Sequence, residues 1–371
     1  MRFTACFALL LALAACGDDS SPMMVDPDAG PPATDAGPMG LPLLGAGAHT
    51  ADAVDVQIVA TADDALEAPR DLAFHPENAD QLWIVNGNTS MTILTDVGSP
   101  EQEWWRRNGS GSQHFFSNAA ALAFGAPGFL ASAQEQDEVT QPDTPPDFMG
   151  PTLWTSDFDE FDAGHASHYD MLHNSPSSVG IAWERDNVYW VFDGAHGSLT
   201  RYDFQMDHGP GGEDHSDGIV QRYVEGQVAR VEGVTAGMEV LDGTLFVADT
   251  GNGRVARLLM ASGTEGAAIT PNYDGTRQFA MEGATLEDVV PAGTVDGLTQ
   301  PAGLEIEAGV LYVVDHASSR VFGFSLEGEL LDWVDLSSVA PAGSLMGLTF
   351  HGGALYLADA GGSRVLRVAA R

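Results

Sequence analysis

The sequence predicts an all-β fold, a six-bladed β-propeller of four-stranded antiparallel blades, and three observations predict it. The first is repetition: GMEVLDGTLFVADTGNGRVARLLM from Gly237, GLEIEAGVLYVVDHASSRVFGFS from Gly303 and GLTFHGGALYLADAGGSRVLRVA from Gly347 share one plan. Each runs from an alternating strand through a Gly-containing turn into a second strand ending in Asp, then a short loop, Arg-Val and a third strand. Period-2 alternation with glycine turns at this spacing marks an antiparallel meander. The second observation is copy number, since fainter copies begin at Arg70, Ala121 and Gly180 and bring the total to six. Units of roughly 40 to 60 residues repeated in this way suit radial blades better than a sandwich. The third is a mismatch at the ends. The last copy reaches Arg371 with three strands, while VDVQIVA at 54–60 precedes the first copy unpartnered. Pairing the two closes a ring and removes an exposed edge.

A fourth, outer strand follows most copies, as EQEWWRRN at 101–108, IVQRYV at 219–224 and LLDWVDL at 330–336. In ERDNVYWVFDG the aromatic residues Tyr189, Trp190 and Phe192 read as core packing of a second strand. Insertions at 135–172 and 261–298 are expected to enlarge blades 2 and 4.

The amino terminus, MRFTACFALLLALAACGDD, has one arginine, an apolar run too short to span a bilayer comfortably, and small residues before a cysteine. Leu13-Ala14-Ala15-Cys16 resembles a bacterial lipobox, which implies a signal peptide over 1–16 and a lipid-modified Cys16. The expected location is the cell envelope, facing periplasm or exterior, with the membrane as a partner through that lipid. Residues 17–50, rich in Pro, Gly, Ala and Asp, read as a disordered tether with a mean reach of ~30 Å. The propeller is then expected over 51–371. The only other cysteine is Cys6, so the mature domain holds no thiol, and any metal must use nitrogen or oxygen ligands. With 53 acidic residues against 15 basic, all arginine, the net charge is -38, which repels phosphate backbones and argues against nucleic acid.

VADTGNGRVARL at 247–258, with VVDHASSRVFGF and LADAGGSRVLRV as weaker echoes, resembles the NHL repeat, and the likeness covers nearly the whole chain after the tether. In these copies Asp249, Asp315 and Asp359 precede Arg254, Arg320 and Arg364 by five residues, a spacing that lets the arginine pair with the aspartate across the loop. Blades 1 and 3 replace the arginine, with Asn86 and Met91 in one and Asp193 and Ser198 in the other.

In a four-stranded blade the loop leading into the innermost strand shares a face with the loop between strands two and three. Ten residues before the end-of-strand markers Phe74, Phe124, Trp183, Val240, Ile306 and Phe350 stand Asp64, His114, His173, Arg230, Asp296 and Ala340. His114 and His173 thus fall in matching slots, and His196 lies on the same face, with His165, His168 or Asp170 as further donors. Three imidazoles and an open position make a zinc site of hydrolytic or lyase type, and Arg230 would hold an anionic substrate group. A second cluster, YDFQMDHGPGGEDHSDG, carries Asp207, His208, Glu213, Asp214, His215 and Asp217 around a Gly-rich turn, suited to Ca²⁺ or a transition metal.

Two functions of different class follow. One is a membrane-anchored binding scaffold, a monomeric disc gripping a peptide, glycan or protein through the loops of one face and needing no cofactor. The other is a metal-dependent lyase or lactone-type hydrolase, which resembles peptidylglycine amidating lyase in placing histidines on the axial face. GxSxG, HExxH and a phosphate-binding loop are all missing.

Overall fold

The computed structural model describes residues 40–108, 113–137, 147–161, 168–212 and 214–371, with backbone alone at 108, 113 and 114. They belong to one compact unit, Met39–Arg371. The lipobox, with Cys16, most of the tether, His165 and Glu213 lie outside the described residues.

Six antiparallel sheets form the ring. Blade 1 comprises Pro69–Phe74, Leu82–Asn86, Ser90–Thr95 and Glu103–Asn108, and blade 2 Ala119–Phe124, Phe129–Gln134, Thr152–Thr155 and His168–Met171. Blade 3 comprises Gly180–Arg185, Val188–Asp193, Ser198–Asp203 and Ile219–Tyr223, and blade 4 Met238–Leu241, Thr244–Asp249, Arg254–Leu259 and Leu286–Val290. Blade 5 comprises Pro301–Glu307, Val310–Asp315, Arg320–Ser325 and Leu330–Asp335. Blade 6 takes Leu345–His351, Ala354–Asp359 and Arg364–Ala370 from the C-terminal repeat, and its outer strand is Val54–Ala60. That strand pairs antiparallel with Arg364–Ala370, Val54 opposite Ala370 and Val56 opposite Val368, so the ring closes as the unpaired ends require.

Between each pair of neighbouring blades lies one apolar cluster, six clusters for six interfaces. Alternation explains this: residues such as Trp83, Val85, Trp190 and Phe192 fill the space between sheets and are fully buried. Tyr189, Trp190 and Phe192 are indeed packing residues.

Two boundaries differ from those the composition suggests. Residues 40–50 are not tether: Pro42–Leu44 forms a 3-10 turn, and Leu44 is completely buried among Val334, Leu336 and Leu355. His49 stacks on Trp333 at 4.3 Å, and the Gly47 N–H donates to Asp332 Oδ2 (3.0 Å). Small residues gave this stretch a linker-like composition, yet its two adjacent leucines carry enough apolar surface to dock on blades 5 and 6. The 261–298 insertion also departs from expectation. Its hairpin, Thr264–Ala268 with Arg277–Glu282, adds to blade 3, where Ile219–Tyr223 pairs with it in parallel, Ile219 opposite Arg277. The 135–172 segment supplies the third and fourth strands of blade 2 itself.

Leu44→Ala removes a fully buried side chain, so it should cost about 2–5 kcal/mol in a denaturant titration. A loss under about 0.5 kcal/mol would mean that 40–50 is an unattached linker after all.

Candidate functional site

The aspartate that ends the second strand is buried in every blade where it occurs, but its partners vary. Arg254 Nε donates to Asp249 Oδ2 (2.8 Å) and Arg364 Nε to Asp359 Oδ2 (2.6 Å), as the spacing predicts. Blade 5 breaks the pattern. The Asp315 carboxylate is filled by N–H groups of Thr299, Gln300 and Ser318 and by the Ser318 hydroxyl. Arg320 turns instead to Asp335 (3.4 Å) and lies over Trp333 (4.7 Å). In blade 3, Arg222 from the outer strand approaches Asp193 (3.8 Å), replacing the arginine that Ser198 displaces. These residues hold loops together.

Of the three histidines placed on this face, the structure describes the side chains of His173 and His196, and each is engaged by an aspartate. The side chain of His114 lies outside the described residues. His173 Nδ1 sits 2.5 Å from Asp274 Oδ1, its own N–H donates to Asp274 Oδ2 (2.9 Å), and its ring stacks on Phe148 at 3.9 Å. His196 Nδ1 lies 2.7 Å from Asp193 Oδ2, and that hydrogen bond raises the His196 pKa above its ordinary value. Among the described residues no metal-ligand grouping includes either ring. Asp274, from the inserted 261–298 segment, is the partner of the His173 ring. Arg230 is likewise occupied. Its Nη1 donates to Glu135 Oε1, while Arg70 Nη2 donates to Glu135 Oε2 (2.6 Å). This triad from three blades walls a cavity of about 390 Å³ at the lead-in end of the axis.

The larger cavity, about 510 Å³, fills the axial channel beyond that triad. Its shape follows from the repeat. A Cβ on Gly237 would strike Leu304 N and Ala302 O, and one on Gly303 would strike Met346 O and Leu348 N. Only glycine lets neighbouring inner strands approach so closely. Blade 1 places Asp71 in that slot, against Gly347. Two residues further along each inner strand the side chain again faces the axis: Ala73, Ala123, Ala182, Glu239, Glu305 and Thr349.

Three carboxylates therefore line one channel. Each reaches the next blade: the Leu122 N–H donates to Asp71 Oδ2 (3.0 Å), the Ile306 N–H to Glu239 Oε2 (3.1 Å), and the Phe350 backbone bonds Glu305. Among the described residues none of the three has a cation within ion-pair distance. Burial pushes the pKa values of Asp71 and Glu239 up to about 7, and it raises Glu305 well above its ordinary value, with the Glu239 charge beside it adding to the effect. Aromatic rings rim the same space, Phe74, Phe124, Trp183 and Phe350, and Trp183 remains 40% exposed at the mouth. The inner-strand acids were missed in the sequence; the signal that finds them is an alignment of RDLAF, GMEV and GLEI with the other blades, which carry Gly, Ala or Thr in the same slots.

The second loop is partly assembled. His208 Nε2 lies 2.9 Å from Asp217 Oδ1, and His215 Nδ1 lies 2.5 Å from Asp170 Oδ1. Asp207 and Asp214 instead cap turns, accepting from the N–H groups of Gly209 (2.9 Å) and Ser216 (3.0 Å).

Unfolded, Asp71 and Glu239 ionise at their ordinary values of 3.8 and 4.5; folded, near 7. The folded state thus holds the extra protons, so these groups favour folding below about pH 4 and lose that contribution as pH rises to 7. Glu239→Gln should raise the melting temperature at pH 8 by about 2 °C or more and leave it unchanged at pH 4. A larger gain at pH 4 than at pH 8 would refute the assignment.

No family model and no curated protein matches the sequence. Solved structures match the fold. An auxiliary nutrient binding protein from Bacteroides thetaiotaomicron is 11% identical with a TM-score of 0.53, over 85% of this chain and 72% of that one. A gluconolactonase from Xanthomonas campestris is 15% identical with a TM-score of 0.52, over 87% and 92%. Virginiamycin B lyase from Staphylococcus aureus is 11% identical with a TM-score of 0.50, over 85% and 99%. At these identities the likeness establishes the propeller fold and nothing finer.

Proposed function

We propose that the chain is a lipid-anchored, NHL-like propeller of the bacterial cell envelope that works as a monomeric binding protein and takes a small organic cation into its axial channel. The lipobox at Leu13–Cys16 supports the anchor, and the repeat around VADTGNGRVARL supports the kinship. One observation carries the ligand: Asp71, Glu239 and Glu305 line a cavity of about 510 Å³, and among the described residues no cation lies within ion-pair distance of them. An arriving positive charge ionises carboxyls that burial keeps protonated near neutrality, so the site exchanges protons for ligand.

An ammonium group fits better than a metal ion. A metal ion gathers its donors tightly, and no three ligand atoms of this trio fall within 4.8 Å of one another among the described residues. The cavity lining includes the rings of Phe74, Phe124, Trp183 and Phe350, and an alkylated ammonium over a ring face gains about 0.5–2 kcal/mol. The net charge of -38 draws cations toward the disc at low ionic strength.

Calorimetric titration with ethylammonium, trimethylammonium and putrescine tests this reading. Binding should tighten as pH rises from 6 to 8, and Asp71→Asn or Glu239→Gln should weaken it tenfold or more. Equal affinity in wild type and both variants, or no binding of any of the three cations at pH 8, would refute it.

A further inference from the structure

Away from the axis, the described residues 204–212 and 214–218 of the long connection between the third and fourth strands of blade 3 pack on the outer strand of blade 2. The Gly211 N–H donates to His168 O (2.7 Å), and His168 Nε2 lies 3.0 Å from Gly212 O. Two residues along that strand, Asp170 is completely buried.

Its two oxygens are unlike. Oδ1 accepts the Met171 N–H (2.6 Å) and lies 2.5 Å from His215 Nδ1, whereas Oδ2, also buried, has no hydrogen-bond partner. A buried carboxylate oxygen without a donor costs free energy, so its position needs a partner that protein atoms do not supply. Beside Asp170 stand His208 and Asp217, and one ligand atom from each of the three residues lies within 4.8 Å of the other two.

We propose that Asp170, His208 and Asp217 bind one divalent first-row transition-metal ion, and that the ion clamps the 204–218 connection of blade 3 to the outer strand of blade 2. One imidazole with two carboxylates and no thiol is a donor set for Zn²⁺ or Mn²⁺, whereas Ca²⁺ wants six to eight oxygens. His215 holds Asp170 by Oδ1, the supporting contact that metal-bound carboxylates usually have, and Oδ2 is left unused by protein atoms. Ligand atoms around a four-coordinate zinc stand ~3.3 Å apart, given bonds of about 2.0–2.1 Å. His208 Nε2 and Asp217 Oδ1, now 2.9 Å apart, need to part by only a few tenths of an ångström. Asp217 keeps its second oxygen on the Met206 N–H (3.3 Å), which holds it in place. Three protein ligands leave a coordination position for water at this partly exposed site. This site is separate from the axial channel and stands whether or not the channel binds a cation.

The test uses the full chain prepared without a histidine tag, stripped with EDTA, dialysed, and titrated with ZnCl₂, MnCl₂ and CaCl₂ by calorimetry. Uptake is confirmed by elemental analysis. We expect one Zn²⁺ or Mn²⁺ per chain and a rise in melting temperature of about 3 °C or more at saturation. Affinity should fall at least tenfold in Asp170→Asn and His208→Gln and stay unchanged in Asp214→Asn, which alters the same loop without touching the trio. His208 sits on the surface connection, so that variant remains informative if the buried Asp170→Asn fails to fold. No stoichiometric uptake of zinc or manganese, uptake unaltered in His208→Gln, or binding of calcium alone would overturn the proposal.

Discussion

Each innermost strand has a partner on one side only, and its other edge faces the axis, so six rows of backbone N–H and C=O groups must find partners there or remain wet. The blades answer by crowding together. Glycines at 237 and 303 let inner strands touch, and the Gly237 N–H donates directly to Ala302 O (2.6 Å). Where no direct bond forms, an acidic side chain spans the gap, as Asp71 does to Leu122 and Glu239 to Ile306. Ring closure by Val54–Ala60 completes the same logic at the outer edge, and the six apolar clusters follow from it.

That constraint also makes the channel chemically active. A carboxylate that uses one oxygen to satisfy the neighbouring strand sits half-buried in the channel lining. Burial then holds its proton to about pH 7. The triad of Arg70, Glu135 and Arg230 at the other end of the axis differs: there two guanidinium groups already hold the one carboxylate.

The ring was legible because it is written locally and periodically. The copies at Gly237, Gly303 and Gly347, the unpaired strand 54–60 and the outer strands at 103–108, 219–223 and 330–335 fall where alternation and glycine turns put them. What escaped was whatever depends on convergence of distant residues. His173 lay in register with His114, but nothing near it announced Asp274, which lies 101 residues downstream. Arg320 kept its five-residue spacing and lost its aspartate because Ser318 and two backbone N–H groups reached Asp315 first. Asp71, Glu239 and Glu305 each look ordinary in a short strand; they matter because six such strands meet. Residues 40–50 misled by composition, since two leucines suffice to dock a stretch of small residues.

The most direct measurement is of the channel carboxyls themselves, by ¹³C NMR titration of side-chain-labelled protein from pH 4 to 9, with and without trimethylammonium. Carboxyl midpoints near 7 for Asp71 and Glu239 that fall by about one unit or more in the presence of the cation are the predicted result. Midpoints in the ordinary carboxylate range, or raised midpoints that the cation leaves in place, would contradict it.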